Sequence, residues 1–201
     1  MVLPRTARLV AGVAATVLAA CIGAPATLGA PAARAANRPS RHACANTSLT
    51  PTAHDIKLIR TATLCLINRE RTAHGERPLR ANGRLHRAAQ AHTNSMAAED
   101  YFEHVSPRGA TPLARLRAVG YISSSHVGYE VGENIAWGTL SLATPRAIVS
   151  AWMSSPGHRA NILDPRFRET GVGVSSHLPA GLGHGQRGAI YTQDFGVIIR
   201  G

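Results

Sequence analysis

The order in which two kinds of hydrophobic pattern follow each other along the chain limits the folds open to it. Apolar residues at helical spacing come first, and two extended, glycine-flanked segments close the chain. Between residues 55 and 73, for example, Ile56, Ile59, Leu66 and Ile67 fall at helical spacing. Helices followed by strands predict an α+β fold built of packed layers.

Periodicity, proline and glycine together predict four helices and three strands. The helices are predicted over residues 55–73, 82–100, 112–119 and 144–153, and the strands over 126–138, 171–176 and 189–199. Pro156 and Gly157 are expected to end the fourth helix. The glycines between the last two strands do not lie between a strand and a helix, so they predict a hairpin loop rather than a phosphate-binding loop.

The first 35 residues have the pattern of an export signal. Two arginines, Arg5 and Arg8, precede an uncharged apolar run from Leu9 to Ala20, which is too short to span a bilayer as a stable helix. Two processing routes remain open: cleavage after Ala35, which gives a secreted protein, or lipid attachment at Cys21, which gives a lipid-anchored one. The domain organisation predicted is a signal peptide at 1–35, a polar arm at 36–54 and one folded domain at 55–201.

The charge of the chain does not predict a nucleic-acid-binding protein. The 22 basic and 11 acidic residues give a net charge of +11, and loss of residues 1–35 removes three arginines and no acid, leaving 19 against 11, or +8. The cations are scattered, without a run of five and without interleaved aromatic residues. For an exported protein the anionic partners within reach are wall polymers, lipid headgroups and acidic surface proteins. We therefore expect no nucleic-acid partner.

The cysteines fit an oxidising compartment. Once Cys21 is removed or lipidated, Cys44 and Cys65 remain as an even pair. A disulfide between them is predicted to tie the polar arm to the first helix, and the alternative is two independent buried thiols.

Three residues have side chains that suggest a shared site. His104 precedes a turn, Glu133 lies in an otherwise apolar strand, and His158 follows Pro156 and Gly157. Two neutral imidazoles and one carboxylate can bind zinc and leave a position open for water. The three are separated by 29 and 25 residues, so separately satisfied histidines and an ion-paired glutamate are the alternative.

Two amide residues and two further histidines are candidates for supporting roles. The amides of Asn161 and Gln193 can donate and accept, so these residues are predicted to line a cleft or to pin strands. His86 and His92 are predicted to be surface or groove histidines of the second helix rather than ligands. A further possibility is that His104 and Glu133 form a buried hydrogen-bonded pair that fixes the floor of a cleft.

Four motifs, in this order, carry a resemblance to a known family. They are Gly-Glu-Asn-Ile-Ala-Trp at 132–137, Trp152 with Ser-Pro-Gly-His-Arg at 155–159 and Asn161, Gly-Val-Gly-Val at 171–174, and Tyr-Thr-Gln-Asp-Phe-Gly at 191–196. This pattern resembles the CAP superfamily, also called SCP, which joins cysteine-rich secretory proteins, venom antigens and plant pathogenesis-related proteins. The chain is most similar to the bacterial secreted branch, and the resemblance extends from Leu66 to Val197.

The resemblance implies a three-layer α/β/α sandwich with a central antiparallel sheet. It also implies a cleft lined by two histidines and two glutamates, in which His104, Glu133 and His158 match three of the four positions. The fourth position, three residues after Trp152, is Ser155 instead of glutamate. The complete set of four is therefore not expected here, and the loss of one carboxylate weakens the attraction of the cleft for a cation.

Two classes of function follow from these expectations. The first is an extracellular, monomeric binding module whose cleft takes a small ligand, a lipid, a wall component or a divalent metal such as zinc. The second is a hydrolase that uses either a metal held by His104, His158 and Glu133, or Ser154 or Ser155 activated by His158. The sequence has neither a His-Glu-x-x-His segment nor a Gly-x-Ser-x-Gly segment, so binding is favoured over catalysis.

Overall fold

The structure, a computed structural model, describes residues 43–124 and 126–199. The predicted export signal and the possible lipid attachment at Cys21 lie outside these residues. Within them the helices are α1 (Ile56–Ala73), α2 (Gly83–Ala98), α3 (Pro112–Ala118), α4 (Pro145–Ser154) and α5 (Pro156–Leu163). The strands are β1 (Arg80–Ala81), β2 (Gly128–Thr139), β3 (Glu169–Ser175) and β4 (Gly188–Ile199), with 3-10 turns at Leu140–Ala143 and Gly183–Gly185.

Capping residues set the first residue of three helices. The side chain of Asn82 accepts hydrogen bonds from the backbone N–H groups of Arg84 and Leu85 at the start of α2. Thr111 and Thr144 cap α3 and α4 in the same way, and each is followed by a proline, which fits the first turn of a helix because it lacks an N–H. These boundaries agree with the predicted ones within two residues.

Helix α4 ends at Ser154, directly before Pro156 and Gly157, as predicted, but a fifth helix that was not predicted follows at once. Pro156 is the first residue of this helix, α5, and Ser155 is its N-cap residue. A proline after a helix is read as a terminator, but it is equally suited to the first turn of the next helix. The difference matters because His158 lies on α5.

The four strands form one sheet in the order β1-β3-β4-β2. The neighbours β3 and β4 are antiparallel, as are β4 and β2, whereas the two-residue β1 pairs in parallel with β3. The sheet is therefore mixed, and its three long strands make the predicted antiparallel part. The periodicity of the sequence missed β1 because two residues are too few to show alternation. The predicted hairpin loop connects β3 to β4.

Helices cover both faces of the sheet, which makes the three-layer α/β/α sandwich that the resemblance implied. On one face, side chains of α1, α4 and α5, among them Ile59, Trp152 and Ile162, pack on Tyr191 and Phe195 of β4. On the other face α2 and α3 pack on the sheet through smaller apolar clusters.

Two glycines of β3 let α2 lie close to the sheet. A Cβ atom at Gly171 would clash with the backbone of Leu85 and His86, and one at Gly173 would clash with the backbone of Ala89. Because a helix backbone cannot yield as a flexible side chain does, these positions require glycine.

The predicted disulfide is present between Cys44 and Cys65, with the two Cα atoms 5.7 Å apart. It joins the polar arm to α1. Thr47 of the arm is also bound to α4, because Arg146 donates from its backbone N–H to Thr47 O at 2.9 Å and from Nη2 to Thr47 Oγ1 at 2.8 Å. Among the described residues, no helix combines the length and the apolar character needed to cross a membrane.

Candidate functional site

Glu133 is the centre of a buried group of ionisable side chains. It lies in the middle of β2, with its side chain only 2% exposed. Arg115 Nη2 donates to Glu133 Oε2 at 2.6 Å, and His104 Nδ1 donates to Glu133 Oε1 at 2.8 Å. Burial alone would raise the pKa of Glu133, but the His104 hydrogen bond and the positive charge of Arg115 outweigh it and hold the pKa below its ordinary value. Glu133 is therefore an ionised, compensated carboxylate.

Arg115 holds the loop that carries His104. Besides its bond to Glu133, its guanidinium donates to the carbonyl oxygens of Ala110 at 2.8 Å and His104 at 3.0 Å. One side chain of α3 thus fixes both the carboxylate and the backbone beside the first histidine. No pattern in the sequence indicated this role, because an arginine in a short helix is most often on the solvated face.

His104 is the exposed member of the group. Its side chain is 49% exposed although Nδ1 is bound to a buried carboxylate. That hydrogen bond raises the pKa of His104 against the opposing effect of burial, so the protonated ring is favoured. With Nδ1 occupied, the Nε2–H group is the one available to a molecule in solution.

His92 is buried, so the prediction that it is a surface or groove histidine was wrong. The side chain is 1% exposed, its Nε2–H donates to Glu103 O at 3.0 Å, and Nε2 lies 3.9 Å from Glu133 Oε1. Burial lowers the pKa of His92 to about 4 despite the nearby Glu133 charge, so its ring is neutral near pH 7. It lies on the face of α2 covered by the loop that leads to His104.

Asp194 is the second buried carboxyl of the group. It is paired with Glu133 across β2 and β4 and is 1% exposed, and no N–H or O–H group of another described residue donates to either of its oxygens. Burial and the neighbouring Glu133 carboxylate raise the pKa of Asp194 well above its ordinary value. A neutral carboxylic acid is thus favoured at this position. We refer to His92, His104, Arg115, Glu133 and Asp194 as the Glu133 cluster.

His158 approaches β2 from the opposite face of the sheet. Its backbone carbonyl accepts a hydrogen bond from Asn134 Nδ2 at 3.1 Å, and Asn134 points to the face opposite Glu133 because neighbouring residues of a strand alternate. Burial, followed by the positive charge of His104, lowers the pKa of His158. His104 and His158 lie on either side of β2, which forms the edge of the sheet.

The two predicted amide residues have different positions. Asn161 Nδ2 donates to Asn134 Oδ1 at 2.9 Å and to Glu133 O at 3.3 Å, so it pins α5 to the edge strand beside the Glu133 cluster. Gln193 is fully buried and donates to Thr170 Oγ1 at 3.1 Å. This burial removes Gln193 from the set of cleft residues and assigns it to strand pinning.

The architecture and the sequence together identify the family. Residues 64–195, well over half of the chain, match the family described as "CAP: Cysteine-rich secretory protein family". The chain belongs to the CAP family.

This CAP chain is similar to two curated proteins of Bacillus subtilis. It is 37% identical over 131 residues to the uncharacterized protein YkwD, a match that covers 65% of this chain and 44% of YkwD. It is 32% identical over 112 residues to the uncharacterized membrane protein YlbC, which covers 55% of this chain and 30% of YlbC. The chain thus matches less than half the length of either relative.

Solved structures show the same CAP fold. An extracellular protein of Bacillus anthracis that contains an SCP domain is 28% identical, with a TM-score of 0.56 and coverage of 76% of this chain and 45% of that one. An outer surface protein of Borrelia burgdorferi is 18% identical, with a TM-score of 0.54 and coverage of 73% of this chain and 94% of that one. At that identity the likeness to the Borrelia protein concerns the fold alone.

Hydrogen bonds occupy several atoms of the three residues in the predicted zinc site, His104, Glu133 and His158. Both Glu133 oxygens and His104 Nδ1 are already used in hydrogen bonds, and His158 Nδ1 lies 2.9 Å from Ser155 Oγ. In the part of the chain that the structure describes, no three His, Cys, Asp or Glu side chains are grouped to hold a metal ion. These bonds leave Nε2 of both histidines unused, so a zinc site here stays a prediction.

Ser155 and His158 form a hydroxyl–imidazole pair at the start of α5. An N-cap serine ordinarily accepts a bond from a backbone N–H of the first turn, but the Ser155 side chain makes no such bond. Its hydroxyl is bound to His158 Nδ1 instead. Ser154, the other candidate nucleophile, donates to Ser150 O within α4 at 2.9 Å. The geometry therefore leaves Ser155 as the serine beside the histidine.

Proposed function

We propose that this CAP domain is an extracellular binding module whose site is the edge of β2 between His104 and His158. The observation that carries the proposal is the 2.8 Å hydrogen bond from His104 Nδ1 to the buried Glu133, which leaves the other ring nitrogen of a half-exposed imidazole turned to solution. In the proposed organisation residues 1–35 are an export signal, 36–54 an arm and 55–201 the binding domain.

The charge balance of the Glu133 cluster favours a ligand that bears negative charge. Arg115 compensates Glu133, and the neutral forms of His92 and Asp194 add no charge. A protonated His104 then leaves one positive charge at the surface. An N⁺–H donor of this kind binds a carboxylate or another charged oxygen more strongly than a neutral acceptor.

The rigidity of the site also supports binding. The His104 loop is fixed by Arg115, and α5 is fixed to β2 by Asn161 and Asn134, so the two histidines are held without a ligand. Preorganised donors lose little conformational entropy on binding. We therefore propose a small, carboxylate-bearing component of the cell envelope, such as a soluble wall peptide, as the ligand.

Titration of ¹⁵N- and ¹³C-labelled protein with a soluble wall peptide tests this proposal. We expect the ring signals of His104 and His158 to shift as the peptide concentration rises and then to reach a plateau. In His104→Ala the affinity should fall about tenfold or more, because one charge-assisted hydrogen bond is lost. His54→Ala, which changes an exposed histidine of the arm, is the matched control. Equal binding by wild type and His104→Ala would refute the proposed site.

The second candidate function is hydrolysis by Ser155, and it depends on the 2.9 Å contact with His158 Nδ1. Lowering of the His158 pKa by burial and by His104 favours the neutral ring that a general base requires. Assay of ester and casein hydrolysis with wild type, Ser155→Ala and the control Ser154→Ala separates the two functions. Activity lost only in Ser155→Ala would support a hydrolase; no activity in wild type would remove this candidate.

A further inference from the structure

A second site of different character lies at the end of the sheet where β1 and β3 begin and β4 ends. It is a cavity of about 430 Å³. Its polar lining consists of Arg80, Asn82, Arg84, Ser123, Arg168 and Glu169, with Tyr121 beside them. None of these residues belongs to the Glu133 cluster or to α5, so the cavity is separate from the proposed binding edge.

The charges that line this cavity are mostly positive. Three arginines face one acid, Glu169, whose carboxylate is already bound by Tyr121 OH at 3.1 Å and lies 3.8 Å from Arg80 Nη2. Arg84 forms no ion pair within the described residues, and Arg168 donates only to backbone carbonyls, which do not compensate its charge. The cavity thus keeps an excess of two positive charges.

A neighbouring cavity continues the site. It also has a volume of about 430 Å³, and Ser123 lines both cavities. Its other lining residues are Arg117, Ile122, Ser124 and Tyr129, with no acid among them. Arg117 donates to Tyr129 OH at 3.2 Å, and its guanidinium lies 6.0 Å from the centre of the same tyrosine ring. The guanidinium is therefore held in place but keeps its charge.

We propose that these two cavities, joined at Ser123, form a groove that binds a linear phosphate-bearing polymer. Guanidinium groups recognise phosphate through paired N–H donors, and four of them spread over two cavities match repeated charges better than a single one. The serine hydroxyls and Tyr129 add hydrogen-bonding groups for the linkages between phosphates.

Binding of short-chain inorganic polyphosphate to the purified protein, measured by calorimetry, tests the groove. The variant Arg80→Gln/Arg84→Gln removes two exposed arginines of the groove, and Arg69→Gln/Arg77→Gln removes two exposed arginines elsewhere, so both have the same net charge. We expect affinity to fall about tenfold or more in the first and less than about twofold in the second, because charge-assisted contacts are lost only in the first. Equal losses in the two variants would show nonspecific attraction and overturn the proposal.

Two further arms identify the source of the phosphate and separate this site from the first. Co-sedimentation with phosphatidylglycerol vesicles distinguishes a soluble polymer from a membrane surface; binding to vesicles without binding to polyphosphate would overturn the polymer assignment. His104→Ala is expected to bind polyphosphate as wild type does. Loss of polyphosphate binding in His104→Ala would show that polyphosphate binds at the edge of β2, and this would overturn the groove. Failure of the wall-peptide titration would leave the test of the groove unaffected.

Discussion

Glu133 and Asp194 lie directly opposite each other on β2 and β4, so two buried carboxyl groups share one face of the sheet. Arg115 and His104 bond to Glu133 and leave Asp194 without a cationic partner among the described residues. Two buried carboxyl groups so close together cannot both be ionised without strong repulsion, so one of them takes up a proton. The contacts decide that Glu133 is the ionised member and Asp194 the neutral one.

Asp194→Asn is expected to fold normally and to be at least as stable as wild type at pH 7, because an amide has the shape of the neutral acid. Because the pKa of Asp194 is higher in the folded protein than in the unfolded chain, the folded protein binds more protons. The contribution of Asp194 to stability is therefore full below the pKa of the unfolded chain, about 3.9, and declines as the pH rises toward the pKa of the folded protein. Denaturation of both proteins from pH 4 to 7 should show a gain by the variant that grows with pH. A loss of stability at pH 7 would mean that Asp194 is ionised.

Arg115→Met is expected to lower the free energy of unfolding by about 3–5 kcal/mol, the usual cost of leaving one member of a buried ion pair without its partner. Urea denaturation measures the change. Arg117→Met, on the exposed side of the same helix, is the control and should change stability by less than about 1 kcal/mol. In the double variant Arg115→Met/Glu133→Gln the loss should be smaller than the sum of the single losses, and simple additivity would contradict the ion pair.

The ring of His104 should have a pKa above its ordinary value, because the hydrogen bond to Glu133 raises it. A histidine with a raised folded-state pKa adds stability that is full below its unfolded value of about 6.5 and is lost as the pH rises through the folded value. Subtracting the stability of His104→Asn from that of wild type should therefore give a difference that declines above about pH 6.5. NMR titration of the ring should show the raised pKa disappear in Glu133→Gln.

Reduction of the Cys44–Cys65 bond should lower the thermal stability of the domain. The bond closes a loop with a sequence separation of 21, for which the chain-entropy account gives about 3 kcal/mol. Calorimetric melting of Cys44→Ser/Cys65→Ser beside wild type measures the loss. Wild type treated with a reductant should have the same melting temperature as the double variant. The melting temperature of the double variant should not change when the reductant is added.

Gly173→Ala should destabilise the protein by about 1–3 kcal/mol or more, since the added methyl group would meet the backbone of α2 at Ala89. Gly181→Ala is the matched control, because nothing lies within 4 Å of a Cβ atom there. Thermal melting compares the two variants. Similar melting temperatures would show that α2 can move away from β3 at little cost.

Local patterns in the sequence were sufficient for much of the fold. Asn82 and Thr111 predict the starts of helices because their side chains bond to free backbone N–H groups only a few residues away. The disulfide could be predicted because Cys44 and Cys65 are the two cysteines that remain in a protein exported to an oxidising compartment. The motif from Gly132 to Trp137 indicated the family, and with it the layers. Helix α5 was missed because proline, a local signal for the end of one helix, is also a signal for the start of the next.

The chemistry of the site was decided by tertiary structure. The sequence by itself identified His104, Glu133 and His158 as residues of interest, but it left open whether they met. Only the register of β2 with β4 places Asp194 beside Glu133, and only the packing of α3 brings Arg115 to the same carboxylate. The ionisation of a buried group depends on which charges and dipoles lie within a few ångströms, and residues far apart in sequence supply them here. The same contacts make Glu133 a compensated carboxylate that orients an exposed histidine.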